Sequence, residues 1–128
     1  MLSSDQFRVN EAWVAITVND SFLYVKDEPY DIYVLLDAAS TYVFGHLLAR
    51  TVEGAPDTKD VAELFAEAYL AKHQWAEKLI VPEGFSAADV FKEQAEANGL
   101  ACVEVPPSDL LPIVGPVKEP FAAFSSLS

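Results

Sequence analysis

One cysteine and two histidines are the soft or nucleophilic groups this 128-residue chain has to offer. Cys102 sits in the apolar run LACVEV with no basic neighbour in sequence to lower its thiol pKa, so it reads as a packed position and not a nucleophile. Being alone, it forms no internal disulfide, and nothing marks an oxidising compartment. His46 lies between Gly45 and Leu47, and His73 closes a helical pattern. Neither has a cysteine or carboxylate at metal-site spacing, although His73 is well placed for the negative end of a helix dipole. No glycine-rich phosphate loop occurs. Trp13, Trp75, Tyr30, Tyr33 and Tyr42 could form an aromatic interaction surface, but core packing accounts for most of them. Spacing assigns no catalytic, cofactor-binding or metal-ligating residue.

Charge excludes a further class of function. Twenty acids against eight lysines and arginines leave a net charge of -12. Non-specific DNA binding typically rests on about 6 to 10 phosphate contacts. The whole cationic supply is Arg8, Lys26, Arg50, Lys59, Lys72, Lys78, Lys92 and Lys118, no two within five residues of each other. Nucleic acid is therefore not an expected partner. A basic protein or a second copy of the chain is. The opening MLSSDQFRVN lacks the basic start and apolar stretch of a signal peptide, and no apolar run approaches the ~20 residues that cross a bilayer. No membrane association is expected, and the cytoplasm is the expected location. Residues 1–128 read as one domain, long enough to bury roughly two-thirds of the surface of its unfolded form.

The elements that would position these groups change character at mid-chain. In EAWVAITVND, Trp13, Ala15 and Thr17 alternate with Val14, Ile16 and Val18, which suits a strand covered on both faces. Asp20-Ser21 reads as a turn and FLYV, residues 22–25, as a short strand or an extension. Pro29 and the charges of KDEPYD break the pattern. IYVLL then gives a strand over 32–37, and YVFGHLLA another over 42–49 at hairpin distance. After the loop TVEGAPD the period becomes helical: Val61, Leu64, Phe65 and Ala68 share one stripe of a helix over 58–73, with Asp57 or Thr58 as N-cap. KLIV predicts a buried strand over 78–81. Ser86 as N-cap and Asn98-Gly99 as stop predict a second helix over 86–98, followed by a strand over 100–105. Five of the eight prolines fall in residues 106–128, which reads as an irregular or helical tail, with short turns from Ser108 and from Pro120.

Three strands, then helix, strand, helix and strand, resemble the ribonuclease H-like fold. More narrowly, WVAITV, DIYVLLDAASTYVFGHLLA, KLIVPEGFSAADVFKEQAEANGLACVEV and GPVKEPF resemble the core domain of retroviral-type integrases and transposases. That family has a Trp-led strand, a strand ending in Asp-x-x-Ser, a strand running into Asp-Asn-Gly, a helix ending before Gly, and a late Gly-x-x-Glu. The resemblance covers about residues 13–121. It implies a three-layer α/β domain with a five-stranded mixed sheet in order 3-2-1-4-5, in which 12–18, 32–37 and 42–49 form an antiparallel meander and 78–81 and 100–105 run parallel to the first strand.

The family's chemistry uses two Asp and one Glu to hold two divalent metals about 4 Å apart for phosphodiester cleavage or transfer. Carried over residue by residue, these ligands fall on Ile16, Pro82 and Lys118, the last two with thirty-five residues between them, the family's usual interval. Isoleucine and proline cannot ligate magnesium and lysine repels it. The resemblance therefore implies a non-catalytic, integrase-core-like domain that needs no cofactor and acts through protein contacts or as a homodimer. Glu83 and Glu119 also have thirty-five residues between them, so a register shifted by one supplies two acids, with Asp31 or Asp37 as a third, for a divergent metal-dependent nuclease. Against it, a one-residue slip turns a side chain to the other face of the sheet. In addition, Glu83 lies beyond its strand, and Pro120 puts Glu119 at a helix start. A third alternative is an acidic mimic of nucleic acid that occupies a basic protein.

Overall fold

Strand β1, Ala12–Thr17, is the centre of the sheet, and its alternation sends Trp13 and Ala15 to one face and Ala12, Val14 and Ile16 to the other, all of them buried. The computed structural model describes residues 2, 4–17, 23–25, 28–50 and 56–115. The expected turn at Asp20-Ser21, the end of the first strand at Val18, most of the loop before the first helix, and Lys118, Glu119 and the rest of the tail beyond 115 lie outside them.

Strand β3, Glu28–Asp37, runs antiparallel to β1 with Trp13 opposite Asp37 and Thr17 opposite Tyr33, and β4, Val43–Arg50, pairs with the other side of β3. The chain then crosses to the opposite flank of β1. There β5, Lys78–Pro82, pairs parallel with β1, and β6, Ala101–Val105, pairs parallel with β5. The five long strands lie in the order β4-β3-β1-β5-β6, which is the expected 3-2-1-4-5. A short strand, β2, Leu23–Val25, joins the start of β3 on the β1 side.

Helices α1, Thr58–Lys72, and α2, Ala88–Ala97, cover one face. The stripe Val61, Leu64, Phe65 and Ala68, together with Phe91 and Ala95, packs onto Trp13, Ala15, Tyr33, Leu35 and Leu79. Residues 107–115 form a third helix, α3, on the opposite face. Its Leu110, Ile113 and Val114 follow helical spacing and pack onto Val14, Ile16, Val34 and Ile80. The result is three layers.

Prolines and caps account for the local departures from expectation. Pro29 does not end β3; it lies where only β2 flanks the strand and the β4 ladder has not begun, so a missing N–H is tolerated there. Pro112 stands inside α3, and the carbonyl it leaves unbonded belongs to Ser108, which is exposed and open to water. Ser86 is not the cap of α2. That helix starts two residues later with Ala87 at the N-cap, and the Ser86 hydroxyl instead pairs with the Tyr33 hydroxyl at 3.0 Å.

Asp37, at the end of β3, is fully buried. Its Oδ1 accepts the Asn10 N–H at 2.7 Å, and its Oδ2 accepts both the N–H and the hydroxyl of Ser40 at 2.8 Å. Asn10, at φ 65° in the left-handed region, accepts the Trp13 indole N–H at 2.7 Å and donates its amide to the Gln74 carbonyl at 3.3 Å. The Trp13 ring sits 5.2 Å from Phe44, 6.3 Å from Phe65 and 5.9 Å from Trp75. Phe44 reaches it because a bulge between Leu35 and Leu36 pairs them with Gly45 and Val43, leaving Phe44 as the extra residue. Gly45 lies so close under α1 that a Cβ there would sit 2.9 Å from a methyl of buried Leu64.

Two substitutions test this frame. Asp37→Ala leaves the buried Asn10 N–H without its acceptor and frees both donors of exposed Ser40, and should lower stability by about 1 to 3 kcal/mol. Gly45→Val must push aside the side chains of Glu67 and of buried Leu64 and should cost about 1 to 3 kcal/mol. Urea denaturation followed by circular dichroism reads both, and an unchanged midpoint in either would contradict the packing described.

Candidate functional site

Ile16 and Pro82 come together. Val14 pairs with Ile80 across the parallel β1-β5 ladder, so two residues further on Ile16 and Pro82 stand side by side at the C-terminal ends of their strands. The ladder stops there. The Glu83 N–H donates to the Val105 carbonyl on β6 at 2.8 Å, so by alternation the nitrogen of Pro82 faces β1, where it has no hydrogen to give. The Pro82 carbonyl accepts the Phe85 N–H at 3.1 Å, and Gly84 at φ 77° makes the turn that swings Phe85 back into the core.

A cavity of about 490 Å³ opens at this break, between the ends of β1 and β5 and the flank of α3. Ile16, Pro82, Phe85, Leu110, Leu111 and Val114 supply its apolar wall, with Thr17, Ser86 and Ser108 as hydroxyls and Glu83 as the one charged residue among the described residues lining it. It lies where the sheet's connections reverse direction, the usual place for ligand sites in open α/β sheets. Beside it, Tyr33 packs on Phe85 and Phe91, with ring centroids 5.7 and 6.3 Å away. Burial raises the Tyr33 pKa above the ordinary phenol value, the Ser86 hydrogen bond opposes this and the Asp31 charge adds to it.

The remaining candidate acids are elsewhere. Asp37 stands opposite Trp13, near the far end of β1 from Ile16, with both oxygens engaged, so it is not a third ligand for a shifted-register site. Asp31 alternates with Ile32 and falls on the face of Tyr33, opposite that of Ile16, and does not line the cavity. Among the described residues no three His, Cys, Asp or Glu side chains gather at metal-binding distance. Magnesium asks for several hard oxygen ligands, and among the described residues the cavity wall supplies one carboxylate, the exposed Glu83. His73 is the left-handed C-cap of α1 at φ 55°, its N–H donating to the Tyr69 carbonyl at 2.6 Å. Among the described residues no helix is long and apolar enough to cross a membrane.

The fold defined by these strands and helices is ribonuclease H-like, of the retroviral integrase core type. A chain of the cryo-EM structure of the simian T-cell lymphotropic virus intasome in complex with PP2A regulatory subunit B56 gamma superimposes with TM-score 0.55 at 14% identity, over 85% of this chain and 38% of that one. The HTLV-2 integrase catalytic core domain in complex with magnesium, in its dimeric form, gives TM-score 0.52 at 13% identity over 75% of this chain and 61% of its own. Its trimeric form gives 0.50 at 13% over 75% and 60%. The chain thus spans between about two-fifths and three-fifths of these structures, and at such identity the similarity is one of fold. No protein family and no curated protein matches the chain.

Cys102 lines a separate, polar recess of about 330 Å³ with Asp89, Lys92 and Glu104. Burial raises its pKa; Lys92 opposes the shift, and Glu104 and Glu96 add to it. The thiol form is therefore favoured to higher pH than in a free cysteine. Alkylation by iodoacetamide should be slow at pH 7.5 and keep accelerating above about pH 9, where a free thiol of pKa about 8.5 is already levelling off. A rate profile matching free cysteine would refute the shift.

Proposed function

We propose that this protein is a non-catalytic integrase-core-like domain that works through contacts with another protein or with a second copy of itself. The observation that carries the reading is the apolar cavity at the C-terminal ends of β1 and β5, walled by Ile16 and Pro82 on the sheet and by Leu110 and Val114 on α3. The resemblance puts two of the family's three carboxylates on Ile16 and Pro82. Neither side chain offers an oxygen, and Lys118 in the third position would add a charge of the wrong sign for a divalent cation. The net charge of -12 supports a partner that is not nucleic acid, since eight cations, no two within five residues of each other in sequence, are outnumbered by twenty acids. The remaining carboxylate at the cavity, Glu83, is exposed and stands beyond the end of β5, which favours a role at the surface over ligation in a cluster.

Incubated with DNA or RNA and Mg²⁺ or Mn²⁺, the purified protein should neither cleave nor join strands. Metal-dependent activity that disappears in Glu83→Gln and Glu119→Gln would overturn the reading and establish a nuclease in the shifted register. In a mobility-shift assay at physiological salt it should leave duplex DNA unshifted. Binding that weakens steeply as salt rises would mean that the fold gathers its cations into a patch, and the protein-contact reading would fall.

A further inference from the structure

Among the described residues the cavity is open along one side. Glu83, Gly84, Ser86, Pro107, Ser108 and Leu111 are exposed at its lip, and Leu111 leaves 55% of its surface in water. Its volume of about 490 Å³ falls in the range of small-molecule sites, but such sites enclose roughly 70–90% of their ligand. An apolar groove with an exposed leucine on its edge cannot do that, and instead suits an occupant large enough to bring its own cover. Main-chain pairing gains nothing from Pro82, which has no N–H to donate two residues past the last β1-β5 pair, Val14 with Ile80. Side chains are left to make the contact there. Among the described lining residues Glu83 is the one ionised group, on a chain that carries a net charge of -12.

We infer that this groove docks a basic peptide segment of a partner protein. An aliphatic or aromatic anchor seats between Pro82 and Phe85 on one wall and Leu110, Leu111 and Val114 on the other, and an arginine or lysine of the same segment pairs with Glu83. A guanidinium at Glu83 makes a charge-assisted, two-pronged hydrogen bond. The surrounding negative field speeds encounter with a basic segment and makes the association rate fall as salt rises. The inference rests on the non-catalytic reading, since an apolar anchor and a divalent metal centre cannot share the same wall.

A library of random 12-residue peptides panned on the immobilised full chain tests it. Enriched peptides should carry net positive charge and at least one Leu, Phe or Trp. A synthetic copy of the most enriched peptide should bind about tenfold more weakly to Leu111→Lys and to Glu83→Lys, as expected for residues at the centre of a small interface. Both positions are exposed, and circular dichroism checks that each variant keeps its fold. Enrichment of neutral or acidic peptides, no enrichment at all, or binding that neither substitution weakens would overturn the inference. Self-association that Leu111→Lys abolishes would overturn it in favour of a second copy as the occupant. Metal-dependent cleavage in the preceding assays would remove the non-catalytic reading whatever the peptides do, whereas an inactive protein that fails the peptide test loses only this docking assignment.

Discussion

Asp37, itself fully buried, collects three donors on two oxygens, one from Asn10 and two from Ser40, and so ties together two turns of the fold. The Asn10 N–H fixes the turn that feeds β1, Ser40 fixes the turn that leaves β3, and through Asn10 the indole of Trp13 is held in the layer beneath α1. Buried hydrogen bonds to a carboxylate are among the stronger polar interactions in proteins, about 1.5 to 3 kcal/mol each, and a partner left unbonded costs a similar amount. The register of β1 on β3 follows: with Trp13 opposite Asp37, the alternation of both strands is set, and every apolar side chain of the two central strands falls on its proper face. The other end of β1 is governed by its separate, parallel register on β5, in which Val14 pairs with Ile80 and Ile16 comes beside Pro82.

Much of the frame was legible in the sequence, and particular residues explain why. The nearly continuous apolar run of β1 and the change from strand to helical period at residue 58 yielded the element order and the parallel pairing in the second half, and the family resemblance supplied the strand order. Asp37-x-x-Ser40 was visible as a motif, and its meaning as a local hydrogen-bonded turn emerged with the coordinates. Less was legible where a contact came from far away in the chain. Ser86 has the residue type and position of a helix cap, yet the Tyr33 hydroxyl, fifty-three positions distant, takes its hydroxyl instead. Pro29 and Pro112 read as breakers because their effect depends on which neighbouring groups need an N–H, and sequence does not show that.

The candidate site was half legible in the same sense. Ile16 and Pro82 were singled out as a pair from the family resemblance, and the structure does bring them together. The helix that turns this pair into a cavity was hidden by its prolines, although Leu110, Ile113 and Val114 carried the i, i+3, i+4 spacing that could have revealed it. Glu83 was noticed for its distance in sequence from Glu119. Its position at the lip of an apolar groove depends on the Gly84 turn and on α3 together, and no linear spacing encodes that.

The bulge that admits Phe44 beneath α1 also has an optical consequence. The chain has two indoles, and they sit with centroids 5.9 Å apart, one on β1 and one just beyond α1, with Phe44 and Tyr69 against them at 5.2 and 4.8 Å. Chromophores this close exchange excitation, so the pair acts as one coupled emitter whose ultraviolet dichroism tracks the seating of the last turn of α1 on the sheet. Trp13 lies three residues along β1 from Ile16, about 10 Å at the rise of a strand. Indole fluorescence therefore reports on the aromatic end of the domain, while Tyr33, bonded to Ser86, is the phenol next to the apolar end.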